Sequence, residues 1–207
     1  MKKAEEFCYL HPMSSHHFVR EGQEPALLIL DPTSYADAEG LLEWAPLVVV
    51  VESALDEVLL WGIKVDVVIA SPENESKLTS ELSHQAPITI VSAGHDLIEA
   101  SLMFMATSGQ SALSIMAGGL TTSLREKVER YSGKISVTVR APSHKWSHIS
   151  SGHYKKWYHA GTILAFSNPG LLGLVSASRP NENGLELTED QWITIENAGP
   201  FWISEQL

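Results

Sequence analysis

The 207 residues, 44% hydrophobic and 19% charged, suit one compact domain or two small ones and exclude a disordered or fibrous chain. Fourteen basic against twenty-five acidic residues leave a net charge of −11, which excludes a surface that holds nucleic-acid phosphates by bulk charge. The single cysteine, Cys8, excludes an intrachain disulfide and a Cys-rich zinc site. No apolar run reaches the roughly 18 residues of a membrane helix, so a soluble, cytoplasmic protein with no membrane partner is expected.

Residues 1–24 read as an N-terminal extension in which His16 and His17 form an exposed pair and Ser14, Ser15 and Cys8 have no triad partners nearby. From there short apolar runs alternate with helical patterns. The runs are Ala26 to Leu30, Leu47 to Val51, Val65 to Ala70, Ile88 to Val91, Leu113 to Met116 and Ile135 to Val139. Between them Tyr35 to Trp44, Ala54 to Trp61, Ser76 to Ser83, Leu97 to Thr107 and Thr122 to Tyr131 are long enough for two or three helical turns. This rhythm predicts an α/β domain with a doubly wound parallel sheet over 25–135. After Gly133 the helical pattern stops, and short β-like pieces stand between Gly, Pro, Asn and Ser turns: Trp157-Tyr158, Thr162 to Phe166, Leu171 to Ser176, Leu185 to Leu187, Gln191 to Ile195 and Phe201 to Ser204. They predict a small all-β sandwich over 136–207, with the strand at Ile135 to Val139 assignable to either half.

In doubly wound sheets ligands sit beyond the carboxyl ends of the strands, which here directs attention to Asp31, Glu52, Ser71 to Asn74, Ser92 to Asp96 and Ala117 to Gly119. Carboxylates gathered at one such edge can hold magnesium and, through it, a polyphosphate. The alternative for Asp31 and Asp96 is helix capping.

The segment from Val48 to Asn74 resembles, without gaps, the first two motifs of the thiamine pyrophosphokinases. That pattern is a strand, Asp-Gly-Ala-x-Asn, a helix ending in Gly, Pro-Asp, a second strand and Gly-Asp-x-Asp-Ser. Gly62 and Asp66 stand in register. Asp96 matches the family's third, Asp-bearing helix start, and Ile115 to Gly119 matches the strand and glycine turn ahead of its Arg-x-Asp-His element. The resemblance implies transfer of pyrophosphate from ATP to thiamine, magnesium as cofactor, and a homodimer whose sandwich contributes to the thiamine site. It further implies Glu73 and Asp96 as catalytic and metal-holding carboxylates with Glu52 assisting, and Glu52, Ser53, Asp56, Ser71, Asn74 and Gly118 at the nucleotide.

The departures fall on the reacting centre. The first aspartate is Glu52, its glycine is Ser53 and the asparagine is Asp56; the second motif reads Ala70-Ser71-Pro72-Glu73-Asn74; the Arg-x-Asp-His element reads Leu120-Thr121-Thr122-Ser123. Magnesium demands octahedral oxygen ligands at about 2.0–2.1 Å, so a carboxylate one methylene longer is misplaced unless the backbone shifts. Losing one charged participant in such a transfer typically costs about 10²- to 10³-fold in rate. Two further readings therefore stand beside the enzyme: a non-catalytic relative that binds a nucleotide, a thiamine-like ligand or a protein partner, and a structural homodimer whose interface uses Trp192, Phe201 and Trp202, residues that core packing explains equally well.

One segment stands outside the resemblance. Residues 134–160 carry Lys134, Arg140, Lys145, Lys155 and Lys156 together with His144, His148, His153, His159, Trp146 and Trp157, and no acid. It reads either as a grip for a phosphorylated ligand or as a solvated face, and the histidine spacings match no metal-ligand pattern.

Overall fold

The computed structural model describes residues 25–44 and 46–207, so the extension with Cys8, Ser14, Ser15, His16 and His17 lies outside the described residues. The six apolar runs of the first half form β1 (Ala26–Ile29), β2 (Val48–Val51), β3 (Val67–Ala70), β4 (Thr89–Ser92), β5 (Ala112–Met116) and β6 (Ser136–Ala141). They pair in parallel in the order β6-β5-β1-β2-β3-β4. Both faces of such a sheet are covered, which is why β1, β2 and β3 read as unbroken Val, Ile, Leu and Ala rather than as alternating polar and apolar residues.

The covering helices follow the expected spans: α1 (Tyr35–Leu42), α2 (Glu52–Leu60), α3 (Glu75–Glu81), α4 (Leu97–Thr107) and α5 (Thr122–Tyr131). Alternate strand residues divide between two cores by the two-residue period of a strand. Leu27, Ile29, Val48, Val50 and Val68 pack against Ala38, Leu55, Val58 and Leu78 of α1 to α3. Leu28, Val49, Val51 and Ile69 pack against Leu102, Met105, Leu124 and Val128 of α4 and α5. No helix among the described residues is long and apolar enough to cross a membrane.

Two positions of the 48–74 segment have purely architectural roles. Gly62, at φ +67°, closes α2 by donating its N–H to Leu59 O at 3.2 Å, a left-handed conformation that glycine adopts without strain. Asp66 accepts from the N–H of Val48 at 2.9 Å and so ties the start of β2 to the start of β3.

Beyond β6 the sheet does not stop. It continues antiparallel through β7 (His144–Ile149), β13 (Phe201–Gln206), β9 (Ile163–Phe166), β11 (Gly184–Leu187) and β10 (Ser178–Asn181), giving eleven strands in one sheet. Pro180 lies in the edge strand β10, where a missing N–H costs no ladder bond to a further neighbour. A two-stranded antiparallel ribbon, β8 (His153–Tyr158) with β12 (Gln191–Glu196), packs on this half. Its inward Tyr158, Ile193 and Ile195 meet Leu164, Leu187, Phe201 and Ile203. The second layer of the expected sandwich is thus this ribbon, and its first layer is the extension of the main sheet.

One predicted strand is absent: Leu171 to Ser176 lies largely in a 3-10 helix, Pro169–Leu174, whose leading Pro-Gly pair disfavours a ladder. Of the three aromatics for which an interface and the core were equally good readings, Phe201 and Trp202 are buried in the core and Trp192 is exposed. Several cations of the 134–160 segment are engaged within the chain. Lys156 Nζ donates to both carboxylate oxygens of Glu205 at 2.7 Å, Lys155 Nζ lies 5.0 Å from the centre of the Trp192 ring, and Arg140 donates to Asp37 O at 3.1 Å.

Candidate functional site

The strand order reverses between β1 and β5, because the chain crosses from β4 back through α4 to the far side of β1. The neighbouring carboxyl ends of β2, β3 and β4 frame a cavity of about 450 Å³ lined by Glu52, Ser71, Pro72, Glu73, Asn74, Gly94, His95 and Leu97. Four residues read from the sequence as site residues, Glu52, Ser71, Glu73 and Asn74, therefore share one cavity. His95, which sequence reasoning did not single out, joins them from the loop between β4 and α4; its place one residue before Asp96 was the available signal.

Glu52 sits at the first position of α2, where a carboxylate complements the positive end of the helix. Its Oε2 accepts from Ser71 N–H at 3.0 Å, Ser71 Oγ–H at 3.1 Å and Asn74 Nδ2–H at 3.0 Å. Partial burial works to raise its pKa, but the three donors outweigh it and hold the carboxyl below its ordinary range. Ser71 and Asn74, which follow β3, thus bind the carboxylate that opens α2.

The other candidates are placed apart from this carboxylate. Asp96 caps α4 by accepting from Glu99 N–H at 3.0 Å and pairs with Lys127 of α5 at 2.7 Å; that ammonium first, and the cap second, lower its pKa. Ser53 donates its hydroxyl to Leu30 O at 3.2 Å. Asp56 is exposed one turn along α2. Gly118 donates its N–H to Asp31 Oδ2 at 2.8 Å, so Asp31 bridges β1 to the loop after β5 rather than capping α1, whose cap is Ser34.

This donor set does not fit a magnesium ion. Glu52 Oε2 already accepts three protein donors, Asp96 is bound to a helix start and an ammonium, and among the described residues no three His, Cys, Asp or Glu side chains gather closely enough to hold a metal ion. Octahedral coordination needs several unengaged oxygens converging on one point. Glu52, Glu73 and Asp96 do not supply it. Among the described residues no Lys or Arg lines the cavity.

No family model matches the sequence, and no curated protein matches it. Solved structures do. The thiamine pyrophosphokinase of Bacillus subtilis aligns with a TM-score of 0.58 at 12% identity, covering 87% of this chain and 98% of its own. The thiamin pyrophosphokinase of Geobacillus thermodenitrificans aligns at 0.58 and 12%, over 88% of this chain and 97% of its own. Yeast thiamin pyrophosphokinase aligns at 0.60 and 10%, over 90% and 87%. At these identities the likeness is one of fold: a mixed α/β architecture with one large sheet and one small antiparallel sheet.

Proposed function

We propose that this chain is a ligand-binding protein on the thiamine pyrophosphokinase fold that does not carry out magnesium-dependent pyrophosphoryl transfer, and that its cavity takes a cationic, thiamine-like small molecule in preference to ATP. The observation that carries the proposal is the threefold engagement of Glu52 Oε2 by Ser71 and Asn74. A carboxylate held by its own protein in this way serves as a fixed negative charge in the wall, not as a metal ligand. With Glu73 lining the same cavity and no Lys or Arg among the described lining residues, the cavity favours a positively charged ring over a phosphate chain.

The test has two arms. AMP release from ATP, magnesium and thiamine, run beside an authentic thiamine pyrophosphokinase, is expected to stay at background; thiamine-dependent AMP would overturn the loss of the reaction. Thiamine is expected to raise the melting temperature by mass action, and Glu73→Gln to diminish that rise, whereas ATP with magnesium leaves it unchanged. Stabilisation by ATP alone would overturn the ligand preference.

A further inference from the structure

A second cavity, sharing no residue with the first, lies where α5 meets the antiparallel half of the sheet. Its volume is about 150 Å³ and its lining is Leu120, Thr122, Arg125, Trp146, Ser167 and Trp202. A cavity of about that size accepts one benzene-sized ring.

The accessible wall is the half-buried indole of Trp146, and the fully buried indole of Trp202 lies behind it on the adjacent strand. In the β7–β13 register Trp202 faces His148 and Ser204 faces Trp146, so the two tryptophans are diagonal neighbours on one face of the sheet. Trp202 is held on three sides. Its Nε1–H donates to Glu129 Oε1 at 2.9 Å, its backbone N–H donates to Ser167 Oγ at 3.0 Å, and the His148 ring meets it edge-on at 4.9 Å between centroids. Trp146 is half-buried and stacks with His144.

The one charged side chain in the lining is Arg125. Its Nε–H donates to the same Glu129 oxygen at 2.8 Å, so one carboxylate oxygen fixes both the indole and the guanidinium. Among the described residues the Nη groups of Arg125 make no hydrogen bond, and they form the edge that binds a carboxylate in bidentate fashion. Flat apolar walls, one orienting cation and a serine hydroxyl are the ingredients of a small-ligand site.

From this arrangement we infer that the cavity binds a monocyclic aromatic carboxylate, the ring lying against Trp146 and the carboxylate on the guanidinium of Arg125. The full chain, labelled with ¹⁵N, is titrated with benzoate, with the uncharged isostere benzamide and with the non-aromatic cyclohexanecarboxylate, following the indole N–H signals of Trp146 and Trp202. Benzoate is expected to shift both signals saturably, with benzamide and cyclohexanecarboxylate each at least fivefold weaker. Arg125→Gln should reduce benzoate affinity to that of benzamide, Arg125→Lys should retain part of the preference, and Trp146→Ala should weaken benzoate at least fivefold. The absence of a saturable benzoate shift, equal affinity for benzoate and benzamide, or an Arg125→Gln variant that binds benzoate like the parent would each overturn the assignment.

Discussion

Gly118 donates its backbone N–H to Asp31 Oδ2 at 2.8 Å, across the crevice between β1 and β5 where the strand order reverses. That crevice is where a doubly wound sheet ordinarily receives its ligand. Here a side chain of β1's own outgoing loop bridges it.

Asp31→Ala should therefore loosen the loop after β5. Asp31 is exposed, so the loss in stability is modest, about 0.5–1 kcal/mol, and amide exchange at Gly118 should accelerate by about two- to fivefold. Asp31→Asn, which keeps an acceptor oxygen, should restore most of the protection. An unchanged exchange rate in the alanine variant would show that Gly118 is held by something else.

Glu52→Ala leaves the Ser71 N–H and the Asn74 amide without their acceptor in a partly enclosed wall, and a loss of about 1–2 kcal/mol is expected in denaturant titration. Glu52→Gln keeps one acceptor oxygen and should lose less. Because the folded-state pKa of Glu52 is depressed, its contribution to stability is complete above the unfolded carboxyl value of about 4.3 and disappears as pH falls through the lower folded value. Glu52→Gln should accordingly differ from the parent at pH 6 and converge on it towards pH 3.

Gly152 precedes β8 at φ +75°, and a Cβ there would collide with the backbone oxygen of Asn197, which closes the β8–β12 ribbon by donating its own N–H to Gly152 O at 2.9 Å. Gly152→Ala adds left-handed strain to a backbone clash, for a loss of at least about 2 kcal/mol and a melting temperature lower by roughly 4–8 °C. A melting temperature within 1 °C of the parent's would contradict the geometry.

The parallel half of the sheet was legible chiefly through β1, β2 and β3, which are buried on both faces and therefore spelled wholly in Val, Ile, Leu and Ala. Strand β7 was not, because His144-Lys145-Trp146-Ser147-His148-Ile149 has no such composition and is a strand through its pairing with β6 on one side and β13 on the other. The candidate carboxylates were legible as strand-end residues. Their partners were not: Lys127 reaches Asp96 across thirty-one residues only because α4 packs on α5, and Ser71 and Asn74 reach Glu52 only because β2 and β3 are neighbours. The cavity between Trp146, Arg125 and Trp202 draws on β7, α5 and β13, a meeting that no local pattern announces.

His148 is buried between β13 and α5, its Nε2 has no hydrogen-bond partner among the described residues, and burial holds its pKa below the ordinary histidine value. Two charges of α5 act on it in opposite senses, Glu129 favouring the imidazolium and Arg125 opposing it, and desolvation dominates. A histidine whose folded pKa is depressed is neutral in the fold but takes up a proton when unfolded. Stability is therefore full above the unfolded value of about 6.5 and falls as pH drops below it. The parent chain should lose melting temperature between pH 7 and pH 5, before the depressed carboxylates begin to titrate. His148→Leu removes the titrating group and the unpartnered nitrogen together, so it should match or exceed the parent at pH 7 and show a flatter profile down to pH 5. Parallel profiles for the two proteins would exclude His148 as the source of the acid sensitivity.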